Sequence, residues 1–215
     1  MTMKFDKDKY VYPCSPTLIP PGHYLLEKYS NNKEIISELK LNGSRCLLYK
    51  IQNNEYEFWS RRGQKLKYNP SIDLIEQLNQ CGIPDGSIID CELLHKKSFK
   101  NILYFYDVQA WNGYYCLDMN LEERKELLSK LKYSQNIWMA FSFQEDINEL
   151  FECIKEKKEH VFLEYCKEKY DENILDIIEG LVIKKLNSRF EFGVKSCRQV
   201  GWMCKLRLST KNYSF

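Results

Sequence analysis

Several charged residues of this 215-residue chain stand inside apolar runs, where burying a charge is costly unless it is paired or binds a ligand. Glu92 lies in IIDCELL, Glu179 in DIIEGLVIKK and Lys205 in WMCKLRL. Lys184 and Arg207 occupy the last two of these runs. The sequence therefore places carboxylates and cations at strand positions that ordinary packing does not explain.

A further lysine, Lys40, opens the segment KLNGSR and follows an acidic residue, Glu38, by two positions. Alone, such a segment is a common surface turn, because short motifs also match by chance. A lysine amine is a nucleophile only when neutral, and nearby positive charges favour that state. Carboxylates can hold Mg²⁺ against a triphosphate, while cations stabilise the charge that develops on phosphoryl oxygens. Together, these groups could make a lysine attack a nucleoside triphosphate.

Short apolar and aromatic runs predict strands along much of the chain. The predicted strands are 46–51, 55–60, 101–113, 181–186, 189–194 and 202–208, together with the apolar run that follows a Pro-Asp-Gly turn within 83–94. The first two are separated by three polar residues, so they predict a hairpin. The basic segment HKKSFK at 95–100 predicts a turn between two of the others.

Helices are predicted where apolar residues recur three and four positions apart, at 71–82, 121–133 and 145–170. The first ends at Gly82, a residue typical of helix ends. The run KEKKEH at 155–160 has charges of mixed sign and is interpreted as a solvated helix face. This order of elements predicts one α+β domain over 1–215, with antiparallel sheets and flanking helices.

Composition limits the class of protein only weakly. The net charge of +2 neither requires nor excludes a polyanionic partner. The nine cysteines show no zinc spacing and suggest reduced thiols in a reducing compartment. Neither a signal peptide nor an apolar run of about 20 residues is present. We therefore expect a soluble intracellular protein of the cytoplasm, the nucleus or a viral factory, with no membrane partner.

Taken together, these segments resemble the nucleotidyltransferase domain of ATP-dependent polynucleotide ligases, in the superfamily that includes mRNA capping guanylyltransferases. KLNGSR matches the first motif of that family, K-x-D/N-G-x-R, and EGLVIK at 179–184 matches the fourth. KLR at 205–207 stands where the fifth motif has Lys-x-Lys. FWSRRGQKL, IPDGSIIDCELL, ILYFYDVQAWNG and LEERKELL resemble the intervening segments in the same order. The resemblance covers about 36 to 208 and implies the ATP-grasp-like ligase fold.

The resemblance implies a role for each residue that faces the nucleotide. Lys40 would attack the α-phosphate of ATP and hold AMP through a phosphoramide bond. Arg45 and Glu92 would hold the ribose, and Tyr106 would stack on the adenine, since an aromatic face is a platform for a base. Glu38 would accept from the adenine amino group, which favours ATP over GTP.

The resemblance also implies metal, phosphate and nucleic-acid contacts. Glu179 and Glu92 would bind Mg²⁺ or Mn²⁺, and Arg61 would contact the 5′-phosphate of the nucleic acid. The residues that would face the phosphates of ATP are Lys184, Lys205 and Arg207. The implied partner is nucleic acid, as a nicked duplex or as strand ends, in a reaction of the DNA repair type.

Two of these residues have a structural alternative. Glu92 could form an ion pair in the strand that also carries Asp90, because structural pairs also place carboxylates in strands. Tyr106 could be a core residue, because aromatic residues in strands are usually buried.

The chain departs from the family at three points. Asn42 replaces the aspartate typical of DNA ligases, and Arg207 replaces a lysine while keeping its charge. Eight residues follow Arg207, so we expect no carboxy-terminal OB-fold domain, whose role a partner protein would then supply.

The favoured function is therefore an ATP-dependent ligase that forms lysyl-AMP and seals 5′-phosphate to 3′-hydroxyl ends, with DNA preferred as substrate. An RNA ligase is the first alternative. A capping-type guanylyltransferase and a non-catalytic module that binds nucleotide or nucleic acid are the others, since a fold does not fix a function.

Overall fold

The computed structural model describes residues 3–30, 32–96, 99–144, 146–190 and 196–208. The strands are β1 (Ser15–Leu18), β2 (Ile35–Leu41), β3 (Ser44–Lys50), β4 (Tyr56–Ser60), β5 (Ser87–Lys96), β6 (Phe99–Trp111), β7 (Tyr114–Tyr115), β8 (Ile137–Met139), β9 (Ser142–Phe143), β10 (Ile178–Lys185) and β11 (Gln199–Arg207). The helices are α1 (Tyr24–Tyr29), α2 (Ile72–Cys81), α3 (Leu121–Ser129), α4 (Ile147–Glu156) and α5 (Val161–Lys169). A 3₁₀ turn at Ile174–Ile177 leads into β10. The structure is thus the predicted mixture of antiparallel sheets and a few helices.

The described residues fall into two compact units. Unit 1 takes those within Met1–Ser15, Gly43–Ala140 and Leu186–Gln199. Unit 2 takes those within Pro16–Asn42, Phe141–Lys185 and Val200–Phe215.

Unit 1 is built on a sheet with the strand order β4-β3-β5-β6-β7, to which β8 adds in parallel beside β6. One face of the sheet buries Leu48 and Phe58 against Leu74 of α2 and Leu128 of α3. Helix α2 begins at the Ser71 cap and ends at Gly82, whose φ of 87° is left-handed. The predicted hairpin and the predicted helix at 71–82 are therefore confirmed.

The other face of the unit 1 sheet is covered by the amino-terminal segment. Phe5 and Tyr10 pack against Leu47, Tyr49 and Ile88. The backbone of this segment is also bonded to the sheet, since Phe5 N–H donates to the Gly113 carbonyl at 2.8 Å. Both faces of the sheet are thereby shielded from water, which matches its largely apolar strands.

Unit 2 contains the sheet with the order β1-β11-β10-β2-β9, in which β2 lies between β10 and β9. Its pairs β2–β9, β2–β10 and β10–β11 are antiparallel. Helix α4 packs on β10 and on α1, and it buries Leu150 and Phe151.

The predicted helix at 145–170 is wrong in one respect, because the structure has two helices there. Helix α4 ends where Lys157 adopts a left-handed φ of 54°, and His160 caps the start of α5. Part of the run KEKKEH is thus the exposed connection between helices. The sequence did not reveal this break, because apolar residues recur three and four positions apart in both helices.

Two further sequence predictions concern segments near the gaps in the description. The predicted basic turn at 95–100 is wrong for four of its residues, since β5 continues to Lys96 and β6 begins at Phe99, while 97–98 lie outside the described residues. The predicted strand at 189–194 has its residues 191–194 outside the described residues. Within the described ranges, no helix is long and apolar enough to cross a lipid bilayer.

Candidate active site

Strand register gathers the charged residues predicted in unit 2 on one face of its sheet. Cross-strand partners in an antiparallel sheet point their side chains to the same face. Across β2, β10 and β11, the register forms the rows Lys40–Gly180–Arg207, Glu38–Val182–Lys205 and Ile36–Lys184–Met203. Five of the predicted site residues therefore share this face, although they come from three strands far apart in the chain.

The opposite face of the same three strands is apolar. Its rows are Leu39–Leu181–Leu206 and Ser37–Ile183–Cys204, and all of these side chains are buried. Successive side chains of a strand point to opposite faces of the sheet, so these buried apolar rows lie on one face and the predicted site residues lie on the other. Packing therefore fixes which side of the sheet can do chemistry.

A β-bulge interrupts the pairing of β2 with β10 at Glu179. The register passes from Ile178 opposite Leu41 to Gly180 opposite Lys40, so Glu179 is the extra residue. A bulge of this kind redirects a side chain. The Glu179 carboxylate consequently lies on the charged face, where Oε2 accepts from Lys40 Nζ at 2.5 Å.

Gly180 makes this arrangement possible. Its φ is +136°, and an added Cβ would lie 2.0 Å from the Leu206 carbonyl oxygen. Gly180 has no side chain between Lys40 and Arg207, so the Glu179 carboxylate can approach both of these residues. It pairs with Lys40, and the Arg207 guanidinium lies 3.9 Å away.

Two ion pairs of the charged face differ in their exposure. The Lys40 and Glu179 side chains are 17% and 14% exposed. The Lys184 ammonium donates to the Glu38 carboxylate at 2.7 Å, and these side chains are only 3% and 2% exposed. Lys184 therefore lies beside Glu38 in the protein interior, a pairing that the sequence did not predict.

In unit 1, Arg45 is held by a carboxylate that the sequence analysis did not select. Its Nε and a terminal nitrogen donate to the two Asp90 carboxylate oxygens at 2.9 and 2.5 Å. The third nitrogen donates to the Cys14 carbonyl oxygen at 2.6 Å. Burial alone would lower the pKa of the Arg45 guanidinium, but the charge of Asp90 raises it well above its ordinary value.

Glu92 lies directly opposite Arg45 in the pairing of β3 with β5. Its side chain passes close to Gly43, since a Cβ on Gly43 would lie 2.7 Å from Glu92 Cγ and 2.7 Å from the Leu93 carbonyl oxygen. The glycine of KLNGSR is therefore required by this close approach. Asp90 could have been found by the same periodicity, because it shares a strand face with Glu92.

Tyr106 occupies a second β-bulge. The pairing of β5 with β6 passes from Asp90 opposite Asp107 to Cys91 opposite Phe105, which leaves Tyr106 as the extra residue. Its ring lies 5.7 Å from the Arg45 guanidinium carbon. Tyr106 is half-buried whereas Phe105 is fully buried, so Phe105 is the one of these two neighbours that lies in the core. Burial raises the pKa of the Tyr106 hydroxyl well above its ordinary value.

Arg61 is exposed in the turn that follows β4. Gly63 gives this turn a positive φ of 73°, and the Ser60 hydroxyl accepts from the Arg62 backbone N–H at 3.3 Å. The turn therefore presents the Arg61 side chain to solvent.

The carboxylates suit magnesium better than a metal held by protein ligands alone. Among the described residues, no group of three or more His, Cys, Asp or Glu side chains could hold a metal ion. Mg²⁺ commonly takes one or two carboxylates, together with water and substrate phosphates. The partly exposed carboxylate of Glu179 fits that requirement.

The fold is that of the nucleotidyltransferase domain of ATP-dependent DNA ligases, as predicted. Mycobacterial DNA ligase D complexed with ATP and MES aligns with a TM-score of 0.62 and 16% identity, over 92% of this chain and 60% of that one. The ligase domain of LigD from M. tuberculosis aligns with a TM-score of 0.57 and 16% identity, over 88% and 58%. A Lig E DNA ligase, studied for DNA binding with a minimal scaffold, aligns with a TM-score of 0.53 and 11% identity, over 91% of this chain and 70% of that one.

The sequence itself is similar to DNA ligases. Residues 22–101 match the family described as the ATP dependent DNA ligase domain. The SPbeta prophage-derived DNA ligase-like protein LigB of Bacillus subtilis (strain 168) is 27% identical over 202 residues, covering 85% of this chain and 64% of that protein. The chain thus spans less than two thirds of this relative and of the two ligase D structures. The predicted resemblance to ATP-dependent DNA ligases is confirmed.

Proposed function

We propose that this chain is an ATP-dependent DNA ligase that works through a lysyl-AMP intermediate. Lys40 Nζ attacks the α-phosphorus of ATP, a phosphoramide bond forms, and pyrophosphate leaves. The AMP passes to a 5′-phosphate end, and a 3′-hydroxyl then displaces AMP to form the phosphodiester bond. Nicked duplexes or strand ends are the substrates, and residues 1–215 act as one adenylation domain in a reducing intracellular compartment.

The observation that supports this proposal most is the row Lys40–Gly180–Arg207 with the carboxylate of Glu179 beside it. A lysine, an arginine and a carboxylate lie together on the charged face, where their side chains are partly exposed. Lys205 stands in the next row of the same face. This set supplies a nucleophile and the cations that stabilise charge on phosphoryl oxygens.

The remaining roles are assigned from the matching motifs. Arg45 and Glu92 hold the ribose, Tyr106 stacks on the adenine, and Arg61 contacts the 5′-phosphate of the nucleic acid. Asp90 keeps the Arg45 guanidinium in place through two hydrogen bonds. Arg45 is thereby oriented before a nucleotide arrives.

Phosphate contacts are assigned to Lys205 and Arg207, and a divalent ion to the carboxylates. Glu179, with Glu92 as the second carboxylate, would hold Mg²⁺ or Mn²⁺. Such an ion, when bound, neutralises phosphate charge and polarises the phosphoryl group. Glu38 accepts from the adenine amino group, which makes ATP the preferred nucleotide.

DNA is proposed over RNA because the relatives with similar sequence or fold are called DNA ligases. The same likenesses make a capping-type guanylyltransferase or a non-catalytic module less favoured.

Covalent labelling tests the proposal directly. The purified protein is incubated with Mg²⁺ and α-labelled ATP or GTP, separated by denaturing electrophoresis, and then supplied with nicked DNA. Acid-labile label from ATP, and its loss when the nick is sealed, are expected. Lys40→Ala should reduce labelling by at least about 10⁴-fold, since the nucleophile is lost.

Lys185→Ala is the matched control, because Lys185 lies on the same sheet but pairs with Ile35 on the opposite face. It should label at the wild-type rate. Label that persists in folded Lys40→Ala would contradict the role of Lys40, and wild-type protein that neither labels with ATP nor seals nicks would contradict the ligase function.

A further inference from the structure

We infer that Lys184 acts on base selection, as the positioning residue of Glu38, and does not contact the phosphates of ATP. This inference rests on the proposed function, because it concerns how the same site distinguishes adenine from guanine. It replaces the phosphate-facing role that the sequence motif implied for Lys184.

Lys184 and Glu38 form an ion pair across two neighbouring strands. The Lys184 ammonium donates to Glu38 Oε2 at 2.7 Å, across a diagonal of the β2–β10 pairing. Directly opposite these residues lie small or apolar side chains. The cross-strand partners of Glu38 are Val182 and Ser142, and those of Lys184 are Ile36 and Met203.

Burial makes this pair difficult to separate. The two side chains are 3% and 2% exposed, whereas Lys40 and Glu179 on the same face are several times more exposed. If Lys184 reached for a phosphate, the buried Glu38 carboxylate would lose this ion pair, which is strongly unfavourable. Lys184 therefore stays with Glu38 while Lys205 and Arg207, which are less buried, serve the phosphates.

The pair has a consequence for the base. An ionised carboxylate only accepts hydrogen bonds. Adenine presents an amino donor at the position where guanine presents a carbonyl acceptor, so ionised Glu38 attracts adenine and repels guanine. Lys184 enforces this difference because its hydrogen bond to Oε2 fixes the orientation of the Glu38 carboxylate. Without Lys184, the Glu38 carboxylate loses the hydrogen bond that orients it, and its discrimination between the two bases weakens.

Lys184→Met tests the inference, because methionine keeps an unbranched apolar chain and removes the charge. Single-turnover labelling is measured across a range of α-labelled ATP and GTP concentrations. We expect the ATP-to-GTP preference, as the ratio of kmax/Kd values, to fall by at least about tenfold. A site built to hydrogen-bond one substrate loses this discrimination when its polar group is disturbed.

Three further variants distinguish a loss of nucleotide preference from a loss of folded protein. Lys185→Met, on the opposite face of the same strand, should keep the wild-type preference. Lys184→Arg keeps the charge and should retain most of it. Glu38→Gln with Lys184→Met leaves no charge at these two buried positions and should fold, yet it should accept GTP, because an amide can both donate and accept. Circular dichroism and thermal unfolding verify folding in each case.

The outcomes are distinct. An unchanged preference in folded Lys184→Met, or an equal loss of rate with ATP and GTP, would overturn the inference and favour a phosphate contact, while ligase activity of the wild type would stand. A wild type that takes label from neither nucleotide would overturn the proposed function and this inference with it. A preference that falls in Lys184→Met and in the double variant, but not in Lys185→Met, supports the positioning role.

Discussion

At the scale of single residues, two glycines and one aspartate explain why the site motifs have their composition. Gly43 and Gly180 each stand where a Cβ would strike a neighbouring strand. Asp90 supplies the carboxylate that holds Arg45. Each of these three residues lies next to a predicted site residue in the structure, although none of them touches the nucleotide in the proposed mechanism.

Gly180→Ala should destabilise unit 2. The new methyl group would lie 2.0 Å from the Leu206 carbonyl oxygen, on a residue with a φ of +136°. Because this backbone region belongs almost solely to glycine, we expect a loss of about 3 kcal/mol or more in the free energy of unfolding. Urea unfolding measures it.

Gly201→Ala, also on β11, is the control for that change. Its Cβ would meet nothing within 4 Å, so its unfolding midpoint should be close to that of the wild type. A Gly180→Ala protein as stable as the wild type would show that β10 and β11 can separate at little cost.

Asp90→Asn should weaken nucleotide use without unfolding the protein. Asparagine keeps the shape but replaces one accepting oxygen with a donor, so one of the two hydrogen bonds to Arg45 and the charge of the pair are lost. Hydrogen bonds to charged groups contribute about 1.5–3 kcal/mol, and we therefore expect ATP labelling to fall by roughly 10- to 100-fold.

Asp85→Asn provides the comparison for the Asp90 variant. Asp85 lies in an exposed turn of the same unit, with its side chain 53% exposed. Labelling by this variant should match the wild type. Normal labelling by Asp90→Asn would mean that the Cys14 carbonyl alone is enough to hold Arg45.

At the scale of elements, the sequence predicted most strands and helices because apolar spacing reports which face of an element is buried. It did not predict the two bulges at Glu179 and Tyr106, because a bulge depends on the register of the partner strand. The pairs Arg45–Asp90 and Glu38–Lys184 were missed for a related reason. Each joins two strands, so neither is visible as a spacing along one segment.

Helix α3 is tied to the sheet of unit 1 by a buried ion pair that the motif analysis overlooked. The Arg124 side chain is fully buried, and it donates to both carboxylate oxygens of Asp107 at 2.7 and 3.1 Å. It also donates to the carbonyl oxygens of Met119 and Ser188. The site strand β6 is therefore anchored next to Tyr106.

Arg124→Met should lower the free energy of unfolding by about 3–5 kcal/mol, since removal of one partner leaves a buried charge. Chemical unfolding measures the loss. Arg124→Met combined with Asp107→Leu removes both charges and should recover part of it. If the double variant is no more stable than Arg124→Met alone, the hydrogen bonds to Met119 and Ser188 account for the loss.

At the scale of the whole molecule, the nine cysteines are free thiols with very different surroundings. Burial raises the pKa values of Cys81, Cys116 and Cys166 to about 12. Cys153 and Cys197 are less buried. The rate at which each cysteine thiol reacts should therefore report whether its surroundings stay buried in the native protein.

At pH 8, a thiol with a pKa of about 12 is almost entirely protonated, and the thiolate is the reactive form. Alkylation of Cys81, Cys116 and Cys166 should therefore be slower than that of Cys153 and Cys197 by at least about tenfold. Timed mass spectrometry measures the rates, and all nine thiols should react together in guanidinium. Fast labelling of Cys116 in native protein would indicate frequent local opening.

The position of β2 in its sheet has a consequence for how the protein is made. β2 is translated early, but its neighbours β9 and β10 follow about a hundred or more residues later, and the pairs of Lys40 and Glu38 are 139 and 146 residues away. Such distant pairing is slow to form. On the ribosome, the strands of unit 1 from β3 to β6 emerge as neighbours and can pair while translation continues. Lys40 therefore gains its partner Glu179 only after β10 has emerged, so a nascent chain should assemble the proposed site late.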